Sequence, residues 1–173
     1  NEEELTWCNS EIERFEAETG KPFDFPHKSK PHHLFEWADY LVHHPKILDA
    51  VEDVIGGNIL CYHATLWIKP AQSDAYVRWH QDGTYFFLSP ALHVTAWVAL
   101  TQADEKAGCM KVLPGSHRND ILPHDDDHSK LNMIPRGQGI AENLDVAHAQ
   151  SMSLDAGQMS LHHTNAIHAS FAN

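Results

Sequence analysis

The chain has 173 residues, 42% of them hydrophobic and 21% charged, which fits one globular domain and excludes wholesale disorder. No apolar run approaches the roughly 20 residues that span a bilayer. Twelve Lys+Arg against 24 Asp+Glu give a net charge of −12, which argues against a nucleic-acid backbone as partner. Cys8, Cys61 and Cys109 are scattered, odd in number and form no CxxC pair, so they read as reduced thiols in a cytoplasmic protein. The acidic start Asn1–Glu4 shows no secretory signal. The unusual count is 15 His, the commonest metal-binding side chain.

The first third is predicted to be helical. Leu5, Cys8, Ile12 and Phe15 recur at helical spacing over residues 1–19, and Gly20-Lys21-Pro22 ends the run. Residues 21–33, with three prolines and no period, are a loop. A second helix is expected over Leu34 to Val42, and a third from Pro45 to the stop at Gly56-Gly57. Residues 1–57 thus form a mostly helical part, and 58–173 a β-rich core of the same domain.

In that core, strands are expected over Ile59 to Ile68, Tyr76 to His80, Leu92 to Leu100, Met110 to Leu113, Gln150 to Leu154, Met159 to His163 and Ala166 to Ser170. Residues 117–150 are polar, hold Pro123, Pro135, Gly137 and Gly139, and read as a long excursion with a solvated acidic run at Asp125–Asp127. Many short strands separated by turn residues suggest a sandwich, jelly roll or barrel.

One constellation carries chemistry. Trp79-His80-Gln81-Asp82-Gly83 places His and Asp at i and i+2, on one face if the strand continues through them. An imidazole and a carboxylate are two thirds of the facial triad that holds non-haem Fe(II) and leaves coordination positions open; a second His from elsewhere completes it. With 15 His, about one His-x-Asp is expected by chance, and two occur. His124-Asp125-Asp126 lies in the polar excursion with no strand around it and is read as the decoy. His80 follows a candidate strand and is flanked by Trp79, Tyr85, Phe86 and Phe87, the apolar surround of a small-molecule site.

The run Trp79 to Phe86 resembles the iron-binding segment of the phytanoyl-CoA dioxygenase family, within the Fe(II)/2-oxoglutarate oxygenases. Ile68-Lys69-Pro70, Thr95 to Leu100, Gly108-Cys109-Met110 through Pro114-Gly115-Ser116-His117-Arg118, and Gly157-Gln158 through Ile167-His168-Ala169-Ser170 match in order, so the resemblance covers roughly residues 35–173. It implies a mainly β fold with N-terminal helices, a double-stranded β-helix (jelly roll, cupin-like). It implies Fe(II), 2-oxoglutarate as co-substrate and O₂, with hydroxylation of a C–H bond of a small-molecule substrate and release of succinate and CO₂.

By the same resemblance His80, Asp82 and His168 match the iron ligands, Ser170 and Trp97 match contacts of 2-oxoglutarate, and Tyr62 occupies a position that often touches it. His162 and His163 match apolar or aromatic positions, so they read as supporting or packing residues. Halogenating relatives replace the carboxylate ligand with a small residue; Asp82 is present, so hydroxylation is expected. Family members also hold the distal carboxylate of 2-oxoglutarate with an Arg soon after the distal His. Arg14, Arg78, Arg118 and Arg136 are the only arginines here and none follows His168, so the sequence reads as C-terminally truncated.

Other classes fit less well. A zinc hydrolase would want His-Glu-x-x-His on a helix, which is absent. Ser116-His117 are adjacent and do not form a triad. Gly137-Gln138-Gly139 lacks the context of a phosphate loop. A cupin-type metalloenzyme that does not use 2-oxoglutarate, and a jelly roll that binds a ligand without turnover, stay open on the residues alone. The substrate and the oligomeric state are not readable.

Overall fold

The computed structural model describes residues 1–127, 129–134 and 138–173. Pro135, Arg136 and Gly137, named above, lie outside the described residues. The chain divides into two compact units, Asn1–Ile68 and Lys69–Asn173.

The first unit holds three helices, α1 (Glu2–Thr19), α2 (Glu36–Val42) and α3 (Pro45–Ile55), with one 3-10 turn at Pro31–His33. Helix α1 starts on a capping box, in which the Asn1 side chain accepts from the Glu4 amide at 3.0 Å. It stops where Gly20 turns left-handed (φ +65°) and its amide returns to the Glu16 carbonyl. Pro45 sits in the first turn of α3, where its missing N–H costs nothing. The Phe23 ring meets Phe15, Phe35 and Trp37 at centroid separations of 4.9, 5.1 and 6.0 Å, and Phe23 and Trp37 are buried.

The strand expected over Ile59 to Ile68 does not form. That stretch makes one isolated bridge, Thr65 to Ser29, supported by Lys30 N–H to Ala64 O and Leu66 N–H to Lys28 O. Alternating β-branched and aromatic residues make a strand only against another strand. Here the neighbour is a short loop, and Leu60 stays 83% exposed.

The second unit is antiparallel throughout its named sheets. One four-stranded sheet has the order β1-β8-β3-β6, from β1 (Val77–His80), β3 (Met110–Val112), β6 (Gln150–Ser151) and β8 (His168–Ser170). A second sheet pairs β2 (Val94–Val98) with β7 (Met159–His163). The fold is the expected jelly roll with N-terminal helices. A one-turn helix α4 (Gly83–Phe86) follows β1.

Residues 117–150 are not simply an excursion. A 3-10 turn spans Ser116–Arg118, and β4 (His124–Asp126) pairs with β5 (Gln138–Ile140) in a two-stranded ladder. The acidic run therefore lies partly on a strand. Asp125 pairs with Arg78 at 2.9 Å, and Asp127 accepts from the Tyr76 hydroxyl at 2.9 Å. The polar composition hid a strand whose outward side chains are solvated.

Replacing Phe23 by Ala removes the centre of the aromatic cluster and is expected to destabilise the protein by about 3–5 kcal/mol. Chemical denaturation of the two proteins measures it. Phe25→Ala, at a side chain 72% exposed, is expected to change stability by less than about 0.5 kcal/mol.

Candidate metal centre

Strand register brings two distant imidazoles together. His80 closes β1 and is the cross-strand partner of His168, which opens β8. Their rings lie 4.1 Å apart, and both residues are buried. Asp82 arrives differently from expected. Strand β1 ends at His80, and Asp82 has helical backbone (φ −57°, ψ −33°) as the residue that caps α4. A turn, not strand alternation, swings the carboxylate back towards the imidazoles. One ligand atom from each of His80, Asp82 and His168 lies within 4.8 Å of the others.

The protonation pattern follows from the hydrogen bonds. His80 Nδ1 faces the Arg78 carbonyl at 2.8 Å and His168 Nδ1 faces the Ala166 carbonyl at 2.9 Å. A carbonyl can only accept, so each Nδ1 carries a proton and each ring turns Nε2 inward. Those nitrogens face Asp82 Oδ1 at 3.5 and 3.7 Å. Burial, with His80 alongside, pushes the His168 imidazole down to about 3, so that ring is neutral at neutral pH. Burial opposes charge on Asp82 as well. The approach of His162 and His80 and the field of the neighbouring imidazoles outweigh it, and the carboxyl is held well below its ordinary range. Two imidazole nitrogens and an anionic oxygen thus converge in a buried space, a donor set suited to a divalent cation with mixed nitrogen and oxygen preference.

The other predicted residues are placed as follows. Trp97 lies on β2 two residues beyond Thr95 and so on the same face; Thr95 donates to Asp82 Oδ2 at 3.0 Å. Ser170 lies two residues beyond His168 on β8, and its Oγ accepts from the Lys69 ammonium at 2.8 Å. Tyr62 belongs to the first unit, in a stretch without regular structure, and is 45% exposed. His163 accepts from the Asn165 amide at 3.1 Å. His124, read above as part of a loop decoy, lies on β4 and accepts from the Gln81 amide through Nε2 at 3.1 Å.

Two supports, Gln81 and Ser116, escaped the sequence reading, and a third, His162, reads there as supporting or packing. Gln81, between His80 and Asp82, is fully buried. Its side chain donates to Asn165 O (2.9 Å) and Asp120 O (3.3 Å) and accepts from the Leu122 amide (2.8 Å). It therefore ties the His80–Asp82 turn to the segment before His168. Ser116 donates to Leu113 O (2.7 Å) and accepts from the Ile167 amide (2.8 Å), fixing the backbone one residue before His168. His162 on β7 brings Nε2 to 3.5 Å from Asp82 Oδ2, with its ring 4.6 Å from that of His168. Polar residues flanking a ligand motif were the available signal, but burial decides their role and is not written in the sequence.

The profile of the family described as "Phytanoyl-CoA dioxygenase (PhyH)" matches residues 3–173. The chain belongs to that family. It is 29% identical over 168 residues to a probable alpha-ketoglutarate-dependent hypophosphite dioxygenase of Stutzerimonas stutzeri, covering 95% of this chain and 58% of that protein. It is 32% identical over 133 residues to the peroxisomal phytanoyl-CoA dioxygenase of Homo sapiens, covering 75% of this chain and 39% of that one. Among solved structures, the apo form of the non-heme monooxygenase ThoJ superposes with a TM-score of 0.80 at 37% identity, covering 99% of this chain and 62% of that one. The chain thus spans less than two thirds of the length of each of these relatives.

Gln81→Leu keeps the volume and deletes three part-buried hydrogen bonds, leaving two carbonyls and an amide without their partner. The expected loss is about 2–4 kcal/mol in unfolding free energy, read from urea denaturation. A loss below about 0.5 kcal/mol would contradict the role given to this side chain.

Proposed function

We propose that this member of the phytanoyl-CoA dioxygenase family is an Fe(II)/2-oxoglutarate-dependent dioxygenase that hydroxylates a C–H bond of a small organic substrate. His80, Asp82 and His168 are its metal ligands in this reading. The observation that carries it is the inward set of two Nε2 lone pairs and Asp82 Oδ1, which asks for a cation. The family match and the relatives' dependence on alpha-ketoglutarate add to it.

Iron with 2-oxoglutarate, when bound, supplies O₂ activation coupled to decarboxylation of the co-substrate to succinate and CO₂. The chain's part is to supply ligands and a dry, shaped surround. His80 and His168 present Nε2 because backbone carbonyls hold their Nδ1–H groups. Asp82 contributes one anionic oxygen while Thr95 occupies the other. Three protein ligands leave positions for co-substrate and O₂. A carboxylate at residue 82 favours hydroxylation over halogenation, because it fills the place a halide would need.

Trp97, Ser170 and Tyr62 are proposed contacts of 2-oxoglutarate. The position of Trp97 on the Thr95 face supports the first, and that of Ser170 on β8 beside His168 supports the second. The support for Tyr62 is the family resemblance alone. Tyr85, whose ring lies 6.0 Å from that of His80, and the exposed Phe87, Leu88 and Leu92 that follow favour a substrate with an apolar part. Nothing favours nucleic acid, and no helix among the described residues is long and apolar enough to cross a membrane. Three unpaired cysteines support a cytoplasmic setting. The family profile runs across both compact units, which supports one oxygenase domain.

His80→Ala and His168→Ala are each expected to lower iron-dependent succinate release from 2-oxoglutarate by more than about 100-fold, beyond the 10–100-fold typical of groups that only support a ligand. Asp126→Ala, at an exposed position on β4, is expected to stay near wild type. Similar turnover in all three variants would remove the proposal.

A further inference from the structure

Four strand positions make one polar row beside the proposed centre. On β2 and β7, Thr95 pairs with His162 and Trp97 with Ser160 across the antiparallel ladder, so these side chains share a face. Thr95 uses its hydroxyl on Asp82 Oδ2 at 3.0 Å. His162 directs Nε2 at the same oxygen from 3.5 Å, and it is only 8% exposed. Among the described residues neither of its ring nitrogens finds a well-formed hydrogen bond. Asp82 therefore has two differently served oxygens. Oδ1 faces the inward nitrogens of His80 and His168, and Oδ2 faces Thr95 and His162.

Packing alone does not account for an imidazole here. An apolar ring or a leucine would fill the volume without burying two nitrogens that lack good partners, which costs folding stability. The direction of the ring supplies the missing reason. Among the described residues Nδ1 of His162 has no carbonyl to hold a proton, so its Nε2, which faces the accepting Oδ2, is free to carry the N–H, and a ring nitrogen that carries a proton cannot ligate a metal. His80 and His168 show the opposite arrangement, with Nδ1–H spent on carbonyls and Nε2 left as a lone pair. The three imidazoles thus divide into two ligands and one donor by their hydrogen-bond environments.

We propose that His162, together with Thr95, is a positioning residue that holds Oδ2 of Asp82 so that Oδ1 alone is presented to the metal. This rests on the metal centre proposed above. Its consequence is chemical: a carboxylate gripped on one oxygen is kept from closing on the cation with both, and the positions needed by co-substrate and O₂ stay open. His162 trades stability of the metal-free protein for a preorganised ligand.

Anaerobic titration of the full chain with Co(II) alone, followed by its visible ligand-field absorption, tests this in wild type, His162→Leu, His162→Gln and Thr95→Val, with thermal melting of each protein in the metal-free state. His162→Leu is expected to raise the Kd for Co(II) by about 10-fold or more and to change the ligand-field band, because ligands lose affinity in that range when their outer partners go. His162→Gln, which keeps an N–H donor, is expected to recover most of the affinity and the wild-type band. Thr95→Val is expected to weaken binding in the same sense. Metal-free His162→Leu is expected to melt at or above the wild-type temperature. A His162→Leu protein with wild-type affinity and spectrum would overturn the proposal. So would a His162→Gln protein as impaired as the Leu variant, which would make His162 a ligand or a packing residue. Wild type that takes up no Co(II) would sink the metal centre itself, and this role with it, whereas failure confined to the variants leaves the centre standing.

Discussion

The second unit is organised around a crowding of ligand groups, an electrostatic conflict that a bound cation would relieve. One oxygen of Asp82 faces two imidazole nitrogens whose protons are committed elsewhere, in a space from which water is largely excluded. Where both rings are neutral, lone pairs and negative charge gathered in one buried space oppose folding. A fold keeps such an arrangement when something bound to it returns more than the arrangement costs.

The surrounding structure serves to hold that conflict in place. Pairing of β1 with β8 sets the two histidines opposite each other, and a register slip of one residue would turn one of them to the other face. Gln81 prevents the turn after β1 from relaxing, because its side chain is bonded to segments on both sides of the site. Ser116 fixes the backbone ahead of His168. Thr95 and His162 come from the other sheet and reach the same carboxylate, so both layers of the jelly roll meet at Asp82. The centre is thus the point at which the two sheets are tied together by polar contacts as well as by apolar burial.

Much of this was legible in the sequence, and the failures have physical causes. Helices α1 and α3 carry their own stop signals at Gly20 and Gly56, and their predicted ends fall within a residue of those found. The short strands at 77–80, 110–112 and 159–163 follow β-branched and apolar runs and were anticipated. Ile59 to Ile68 has the same texture but lacks a strand neighbour in the structure, and composition does not report on neighbours. His124–Asp126 was the reverse case, a polar run that pairs with β5, where Asp125 and Asp126 stay in solvent and the apolar burial comes from Ile140 on the partner strand. At the site, the His-x-Asp spacing pointed to a pair that the structure does bring together, though by the helical turn at Asp82 and not by a strand face. Gln81 could not be distinguished from a surface residue by type, because long-range burial gives it its role, and His162 could be read only as supporting or packing.

The most direct test is crystallographic. Crystals grown anaerobically with Mn(II), a redox-stable stand-in for Fe(II), should show one strong anomalous peak within about 2.0–2.2 Å of His80 Nε2, Asp82 Oδ1 and His168 Nε2. His162 should lie outside bonding distance of that peak. A peak coordinated by a different residue set, or saturating Mn(II) with no peak between these three side chains, would contradict the account.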